Sequence, residues 1–443
     1  MGGAVLTFLL FRFPRLYVYL FLVVALLPLS FLNYLDQFRL FGGGEAGANI
    51  VGLGWSLSIV LFAVYSLWKK KRWWRIPFYR PFFLLIGLAL PTVMLSHSWL
   101  FGVRNWVHLT APICLSLLLY STITSRKQAI QVMRHILIIF SVVSAVGVYQ
   151  LVTGTGSYDL GANVFRLTGV YGDLGEVSYA VLLLYLCCLA APIVMGEERT
   201  RTIFPLTILI CSVLLLLASG SRAPLLAFLA AAPLMLWKSK VKLKYWLLLA
   251  LIVGVGQLSP RVYARFGGAL LYVPTRFLNE DVSTNMTNRM ALWALLTNEF
   301  LDAKTAMMGR GFGSTDYYLL YEFDDPTMLF GHGPHNEYLR FLLDMGVGGV
   351  LLLVGQLAVL YRVGSKLAAK ASDAFSRNLG VSLCGLVISF ALVALTSSMY
   401  GLGAQGDVFW IFVGLLLAPT KWTPLAEETV RVGNGAAPIL LSS

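Results

Sequence analysis

The stretch "FGHGPHNEYLRFLLDMGVGG", residues 330–349, decides the fold because its character changes abruptly along its length. It begins with two of the chain's five histidines, His332 and His335, and ends in the glycine-rich start of a long apolar run. An apolar run of about 20 residues crosses a bilayer as a helix. The stretch therefore predicts a membrane helix with polar side chains at its mouth.

The whole chain has the composition of a membrane protein. Its 443 residues are 58% hydrophobic and 12% charged, with a mean hydropathy of +0.76, whereas a soluble domain carries about 25% charged residues. We predict an all-α integral membrane protein with about 12 transmembrane helices. The predicted spans are 16–33, 48–68, 82–100, 107–124, 135–152, 177–195, 203–219, 223–237, 245–258, 339–361, 379–398 and 407–420.

The basic residues predict how these spans are oriented, because positively charged loops stay on the cytoplasmic side. With the N-terminus inside, the N-terminal segment, the inside loops and the tail together hold 22 of the 34 lysines and arginines. We therefore attribute the net charge of +13 to topology and anionic headgroups, and expect no nucleic acid as a partner. All five cysteines fall in apolar segments, so neither a disulfide framework nor a zinc ligand set is predicted.

The spans divide the chain unequally, and the long polar stretch between them is predicted to lie outside. A connection of that length is usually functional. The predicted parts are transmembrane helices 1–9 (1–258), a large periplasmic loop that contains helices (259–334), transmembrane helices 10–12 (335–420) and a cytoplasmic tail (421–443).

His335 follows Gly333 and Pro334, and proline suits the first turn of a helix. We expect His335 in the opening turn of the tenth span, where the partial positive charge of the helix N-terminus disfavours an imidazolium. A neutral, positioned imidazole is a general base. Two other interpretations stay open: an interfacial residue that caps the helix, and a metal ligand shared with His332, for which no third ligand is suitably spaced.

Two arginines on the same predicted side are candidates for binding an anion. Arg222, in "ASGSRAPLL", lies at the tip of a tight hairpin, and Arg289 precedes Trp293 by one turn in the predicted amphipathic helix "STNMTNRMALWALLTNEFLDA" (283–303). A guanidinium group suits phosphate oxygens, so the pair would bind a pyrophosphate if both lay near His335. Either side chain could instead reach lipid headgroups, and the sequence alone does not bring the two together.

Four stretches resemble the O-antigen ligase and polymerase superfamily. "GPHNEYLRFLLDMGVGGVLLL" looks like its His-Asn-x-x-Leu motif with a glycine-containing span, and "LLLLASGSRAPLLAFLA" is similar to its Ser-Arg-small motif. "NRMALWALLTNEFLDAKTAMMGRGFG" resembles its Arg-x-x-x-Trp helix ending in Gly-x-Gly. "FRLTGVYGDLGEVSYAVLL" matches its Arg-x-x-Gly-x-aromatic element loosely, with Gly172 and Asp173 where Asn-Pro-Asn-like residues are common.

This resemblance, over roughly 160–350, implies a membrane glycosyltransferase of the GT-C type in the bacterial inner membrane. An O-antigen ligase transfers a glycan from undecaprenyl pyrophosphate to the lipid A-core oligosaccharide at the periplasmic face. The resemblance implies His335 as the catalytic base and needs neither cofactor nor metal. Pyrophosphate would be bound by Arg222, Arg289 and Arg166, with Asn336, Glu337, His332 and Trp293 as possible supporting residues. Glu337 and Asp344 are also spaced to pair with Arg340 at i,i+3 and i,i+4.

Two alternatives to the ligase remain open from the sequence. An O-antigen or exopolysaccharide polymerase would use the same donor with a glycan acceptor. A lipid or polysaccharide transporter would also suit the number of spans, but transporters concentrate ionisable residues near the midplane of the membrane. Here the polar residues gather at one face, which favours chemistry at the membrane surface.

Overall fold

The computed structural model describes about three fifths of the chain and is almost entirely helical in that part, as predicted. The described residues are Val60, Leu61, Val64, 79–159, 164–169, 176–195, 203–219, 221–239, 280–319, 334–400 and 404–422. The predicted spans at 16–33 and 245–258, nearly all of 48–68, and His332 lie outside them.

The described elements form a helical bundle with one small hairpin. Its helices are α1 (Arg80–Val93), α2 (Trp99–Thr122), α3 (Arg126–Thr153), α4 (Glu176–Met195), α5 (Ile203–Ala218), α6 (Arg222–Lys238), α7 (Glu280–Phe300), α8 (Ala303–Met308), α9 (Ser314–Tyr317), α10 (Glu337–Lys370), α11 (Ala374–Val393) and α12 (Ala404–Leu417), followed by a 3₁₀ turn at Ala418–Lys421. The strands β1 (Ser157–Asp159) and β2 (Val164–Arg166) pair antiparallel.

Three described helices are long and apolar enough to cross a membrane. They are Arg126–Thr153, Glu337–Lys370 and Ala374–Val393. Shorter apolar helices cover Arg80–Val93, Val177–Ala191 and Ile203–Ala218. The membrane character of the chain is thus confirmed, and the total of about 12 spans and the periplasmic side of the long loop remain predictions.

Contacts at the helix ends show that neighbouring helices run in opposite directions. At one end, called here the basic end, the Arg126 guanidinium lies 5.3 Å from the ring of Phe375, and Lys421 Nζ donates to the Ile123 carbonyl at 2.9 Å. At the other end, called here the site end, the Glu337 N–H donates to the Ala394 carbonyl at 2.8 Å. Arg126, Lys421 and the connection from Lys370 to α11 therefore lie together at one end of the described bundle.

The predicted span 82–100 is two elements in the structure, which is a difference from the sequence-based boundaries. Helix α1 ends at Val93, and a turn at 94–98 leads into α2. The last turn of α1 contacts a loop from far along the chain, since the Phe312 N–H donates to the Thr92 carbonyl at 3.3 Å. A Cβ on Gly311 would overlap the backbone of Ser96, so the approach requires glycine.

Helix α10 contains a break that its sequence period does not reveal. Gly346 has φ 69° and ψ −169°, which lies outside the helical region. The break frees the carbonyls of Leu343 and Asp344, and these accept the N–H groups of Arg310 at 2.8 Å and Gly311 at 3.0 Å. The "GRGFG" loop thus replaces hydrogen bonds that a continuous helix would make within itself.

Candidate functional site

The polar entrance of α10 is built around a sharp change in backbone direction. Asn336 is the N-cap of the helix, and its side chain accepts the Leu339 N–H at 3.0 Å. His335 lies one residue before the cap and has φ 51°, the left-handed region that favours glycine. The sequence had predicted His335 in the opening turn of this helix. In the structure His335 precedes α10, because the helix begins after its N-cap Asn336 and not at Pro334.

Helix α7 is bound to this entrance by two side chains from the Arg-x-x-x-Trp element. Trp293 Nε1 donates to the Pro334 carbonyl at 2.7 Å, and Arg289 Nη1 donates to the Thr396 carbonyl at 3.1 Å. On the same face of α7, Leu292, Leu296 and Phe300 are buried against Leu343 of α10. The structure thus places Trp293 against Pro334, next to His335, and Arg289 against the turn at 394–400 that follows α11.

A cluster of one arginine and three carboxylates lies directly beneath the entrance, and we call it the Arg340 cluster: Arg340, Glu337, Asp316 and Asp344. Arg340 Nη2 lies 2.7 Å from Asp316 Oδ2, Nη1 lies 3.2 Å from Glu337 Oε1, and Nε lies 3.9 Å from Asp344 Oδ2. Arg340 is 1% exposed, and Glu337 and Asp344 are fully buried. Buried charges of this kind persist only when they are paired and hydrogen-bonded.

The remaining lone pairs of the cluster accept backbone N–H groups from two other segments. Glu337 Oε2 accepts the Met399 N–H at 2.6 Å and the Tyr400 N–H at 3.4 Å. Asp344 Oδ2 accepts the Gly313 N–H at 2.9 Å, while its Oδ1 accepts both the N–H of Thr315 at 2.9 Å and its hydroxyl at 2.6 Å. The cluster therefore fastens α10 to the 309–316 loop and to the 394–400 turn.

The short helix α8 completes the frame under the loop. Asp302 caps it by accepting the Thr305 N–H at 2.6 Å, and this hydrogen bond lowers the pKa of the exposed Asp302 carboxyl below its ordinary value. Arg310, after α8, donates from Nη2 to the Glu299 carbonyl at 2.8 Å and lies 4.3 Å from the ring of Phe300. These contacts hold the end of α7 against the loop.

Arg222 and Arg166 occupy less central positions than Arg289. Arg222 is the first residue of α6 and is exposed. It lies at the site end, because Lys238 at the other end of α6 reaches Ser365, deep along α10 from Glu337, at 3.2 Å. Arg166 is the last residue of β2, and its side chain lies outside what the structure describes. Of the three predicted arginines, only Arg289 is seen in contact with the 394–400 turn.

The segment after β2 is held by a buried glutamine that the sequence analysis missed. Gln150, near the end of α3, donates from Nε2 to the Thr168 hydroxyl at 3.1 Å and the Gly169 carbonyl at 3.0 Å. Its Oε1 accepts the N–H groups of Thr168 at 3.2 Å and Gly169 at 2.8 Å. A polar side chain inside an apolar helix was the available signal, because such a group is costly unless it is hydrogen-bonded.

The sequence predicted some contacts of the Arg340 cluster and missed others. The pairing of Glu337 and Asp344 with Arg340 is confirmed. The contributions of Asp316, Thr315 and the Met399 and Tyr400 amides were missed, since no local spacing links them to α10. Within the part of the chain that the structure describes, no group of three or more His, Cys, Asp or Glu side chains is arranged to hold a metal ion.

Comparison with known proteins agrees with this architecture. Residues 207–354 match the family model described as O-Antigen ligase. The match begins in α5 and extends through α6, α7, the 309–316 loop and the first half of α10, and so includes Arg222, Arg289, Trp293 and His335. A comparison with curated proteins gave no match. Members of the matched family are membrane glycosyltransferase-like enzymes. The match over residues 207–354 supports the resemblance of this part of the chain to the O-antigen ligase and polymerase superfamily.

Proposed function

We propose that the protein is an O-antigen ligase of the bacterial inner membrane. It transfers a glycan from undecaprenyl pyrophosphate to the lipid A-core oligosaccharide at the periplasmic face. The observation that carries this proposal is that Trp293 binds the Pro334 carbonyl, next to His335, while Arg289 binds the 394–400 turn to which the start of α10 is also bound. Arg289, Trp293 and His335 all lie in the part of the chain that matches the family. The alternation of helix directions supports the sidedness, because the described basic residues Arg126, Lys370 and Lys421 lie at the end opposite this site.

The transfer is a single displacement at the anomeric carbon. The acceptor hydroxyl oxygen forms the new bond to that carbon, and the bond from the carbon to the pyrophosphate oxygen breaks, with inversion of configuration. The imidazole of His335 takes the hydroxyl proton and later releases it to solvent. His335 is partly exposed, so the acceptor and water reach it from outside the bundle.

The departing pyrophosphate is a good leaving group and needs cations instead of an acid. Arg289 is positioned by its bond to the Thr396 carbonyl, and a fixed guanidinium stabilises developing negative charge without reorganising. Arg222 begins α6 at the same end of the bundle, where the N-terminus of the helix adds partial positive charge. We assign both arginines to the pyrophosphate, with Arg166 as a third candidate.

The decisive experiment is a transfer assay with purified protein, a polyprenyl pyrophosphate glycan and lipid A-core acceptor. His335→Ala should lower the rate by about 10² to 10⁴-fold, whereas His332→Ala should lower it much less, with and without EDTA. Wild-type rates from His335→Ala would overturn the assignment of the base. Equal losses in both variants together with inhibition by EDTA would support a metal site instead.

Lipopolysaccharide gels of a strain that lacks the protein separate the ligase from the polymerase. The proposal expects core without attached polymer, with polymer accumulating on its carrier. Core that bears a single repeat unit would contradict ligation and identify a polymerase. Product formation that depends on an ion gradient across vesicles would contradict both and favour a transporter.

A further inference from the structure

His335 has an unusual backbone for the residue proposed as the base. It is the one non-glycine residue with positive φ among those that the structure describes. A side chain in the left-handed region crowds its own carbonyl, so such a conformation persists only where the surroundings impose it. Whatever imposes it also decides where the imidazole points.

The chain is fastened on both sides of His335. On one side the Pro334 carbonyl accepts the Trp293 indole N–H at 2.7 Å. On the other, the backbone N–H of Glu337 donates to the Ala394 carbonyl at 2.8 Å. These bonds fix the two ends of the four-residue segment 334–337, and within it the Asn336 side chain caps α10.

The side chain of Glu337 adds the strongest of these attachments. Its carboxylate receives two backbone N–H groups from Met399 and Tyr400 and a guanidinium N–H from Arg340, and it is fully buried. Hydrogen bonds to a charged acceptor are about twice as strong as those between neutral groups. Arg340 is itself held by Asp316 at 2.7 Å, so the carboxylate of Glu337 is fixed from both directions.

We propose that Glu337 is a positioning residue that holds His335 in its left-handed conformation by anchoring the start of α10 to the 394–400 turn. The inference rests on the proposed role of His335 as the base. Glu337 acts on His335 through the backbone and not by a side-chain contact, because its carboxylate oxygens are bound to the Met399 and Tyr400 N–H groups and to Arg340. When this anchor is weakened, residue 335 returns to an ordinary φ, and the imidazole moves away from the acceptor hydroxyl.

The test is a double-mutant cycle on the transfer reaction with Glu337→Gln, His335→Ala and the combined variant, all as full-length protein in detergent. Glu337→Gln keeps the size of the side chain but loses the charge and one acceptor site. We expect kcat to fall by roughly 10 to 100-fold, because small misplacements of a reacting group have effects of that size, while KM for the donor stays within about twofold. The combined variant should be no slower than His335→Ala alone.

Asp373→Asn is the matched control. This carboxylate also accepts a backbone N–H, from Ser376 at 2.9 Å, but at the N-terminus of α11 at the basic end. It should leave kcat unchanged. Asp316→Asn is a milder second variant, since it loosens Arg340 without touching Glu337, and its smaller loss of kcat should also vanish in the His335→Ala background.

The outcomes separate this inference from the function on which it rests. If Glu337→Gln slows His335→Ala by the same factor as it slows the wild type, Glu337 does not act through the histidine and the inference is wrong. An unchanged kcat in folded Glu337→Gln would overturn it equally. If His335→Ala retains full activity, it is the proposed base that fails, before Glu337 is considered.

Discussion

Arg340 is the residue whose removal should disturb the described structure most. Its guanidinium is 1% exposed and has three carboxylates around it, two of them fully buried. The attraction between the charges in such a cluster only offsets the free-energy cost of taking them out of water, so the cluster adds little net stability. Its main role is to fix the relative positions of the segments that carry the charges. These segments are α10, the 309–316 loop and the 394–400 turn.

Replacing Arg340 by methionine should therefore be severe. The three carboxylates would remain without their cation, and breaking a buried ion pair in this way costs about 3–5 kcal/mol. We expect a lower thermal unfolding temperature in detergent. Arg377→Met, at the basic end, should change stability by no more than about 0.5 kcal/mol. Equal melting temperatures for the two variants would show that the cluster contributes little to the fold.

At Arg289 and Arg222 the expected change is in activity. Lysine keeps the charge but loses the planar fork that binds two phosphate oxygens. Arg289→Lys and Arg222→Lys should thus lower glycan transfer by at least about tenfold with normal membrane expression. Arg377→Lys serves as the control. Near-normal transfer in both lysine variants would make these residues lipid anchors.

The sequence predicted the local pairs of the site and not the distant ones. Glu337 and Arg340 are one turn apart on a helix, so their spacing alone predicts the ion pair. Asp316 joins the same arginine from a loop, and only the break at Gly346 brings that loop into reach. Met399 and Tyr400 contribute through their backbone amides, which carry no signal in the identity of the side chain.

At the scale of the element, the amphipathic helix shows which part of a periodic pattern is predictable. The predicted helix 283–303 corresponds to Glu280–Phe300. The buried stripe is Leu292, Leu296 and Phe300, whereas the apolar side chain of Met290 is 60% exposed. Spacing identifies a helix, but the choice between two adjacent apolar stripes depends on the surface against which the helix packs.

Gly346 and Gly355 offer a matched pair of substitutions within α10. A Cβ at Gly346 would overlap the Met307 carbonyl and would also be strained at φ 69°, so Gly346→Ala should destabilise the protein by about 2 kcal/mol or more. Gly355 is helical with nothing within 4 Å of an added Cβ, so Gly355→Ala should stabilise by about 0.5–1 kcal/mol. Thermal unfolding in detergent measures both.

If Gly346→Ala melted at or above the wild-type temperature, the 309–311 loop would not be packed against the break. Gly309→Ala provides a second measurement from the loop side, because its Cβ would overlap the Asp344 carbonyl at φ 74°. Both substitutions should disturb the same contact, and their effects should therefore fall short of additivity when combined.

At the scale of the whole molecule, the alternation of helix directions makes a prediction about sidedness. The exposed Asp302 lies with the site end, whereas the exposed Lys370 closes α10 at the basic end. Since basic loops remain cytoplasmic, Asp302→Cys should react with a membrane-impermeant thiol reagent in intact spheroplasts, and Lys370→Cys should react only after lysis. The opposite pattern would place the site in the cytoplasm and remove access to a periplasmic acceptor.

The interlocked glycines have a practical consequence for exchanging parts between related enzymes. Gly309 of the loop packs on the backbone of Asp344, and Gly346 of the helix packs on the backbone of Met307, with no space for a side chain at either contact. In a chimera that combines the 309–316 loop of a related enzyme with this α10, any side chain at these glycine positions would overlap the opposing backbone. Swaps intended to change the acceptor should therefore take their boundaries before α8 and after Gly346, so that the loop and its receptor are inherited together.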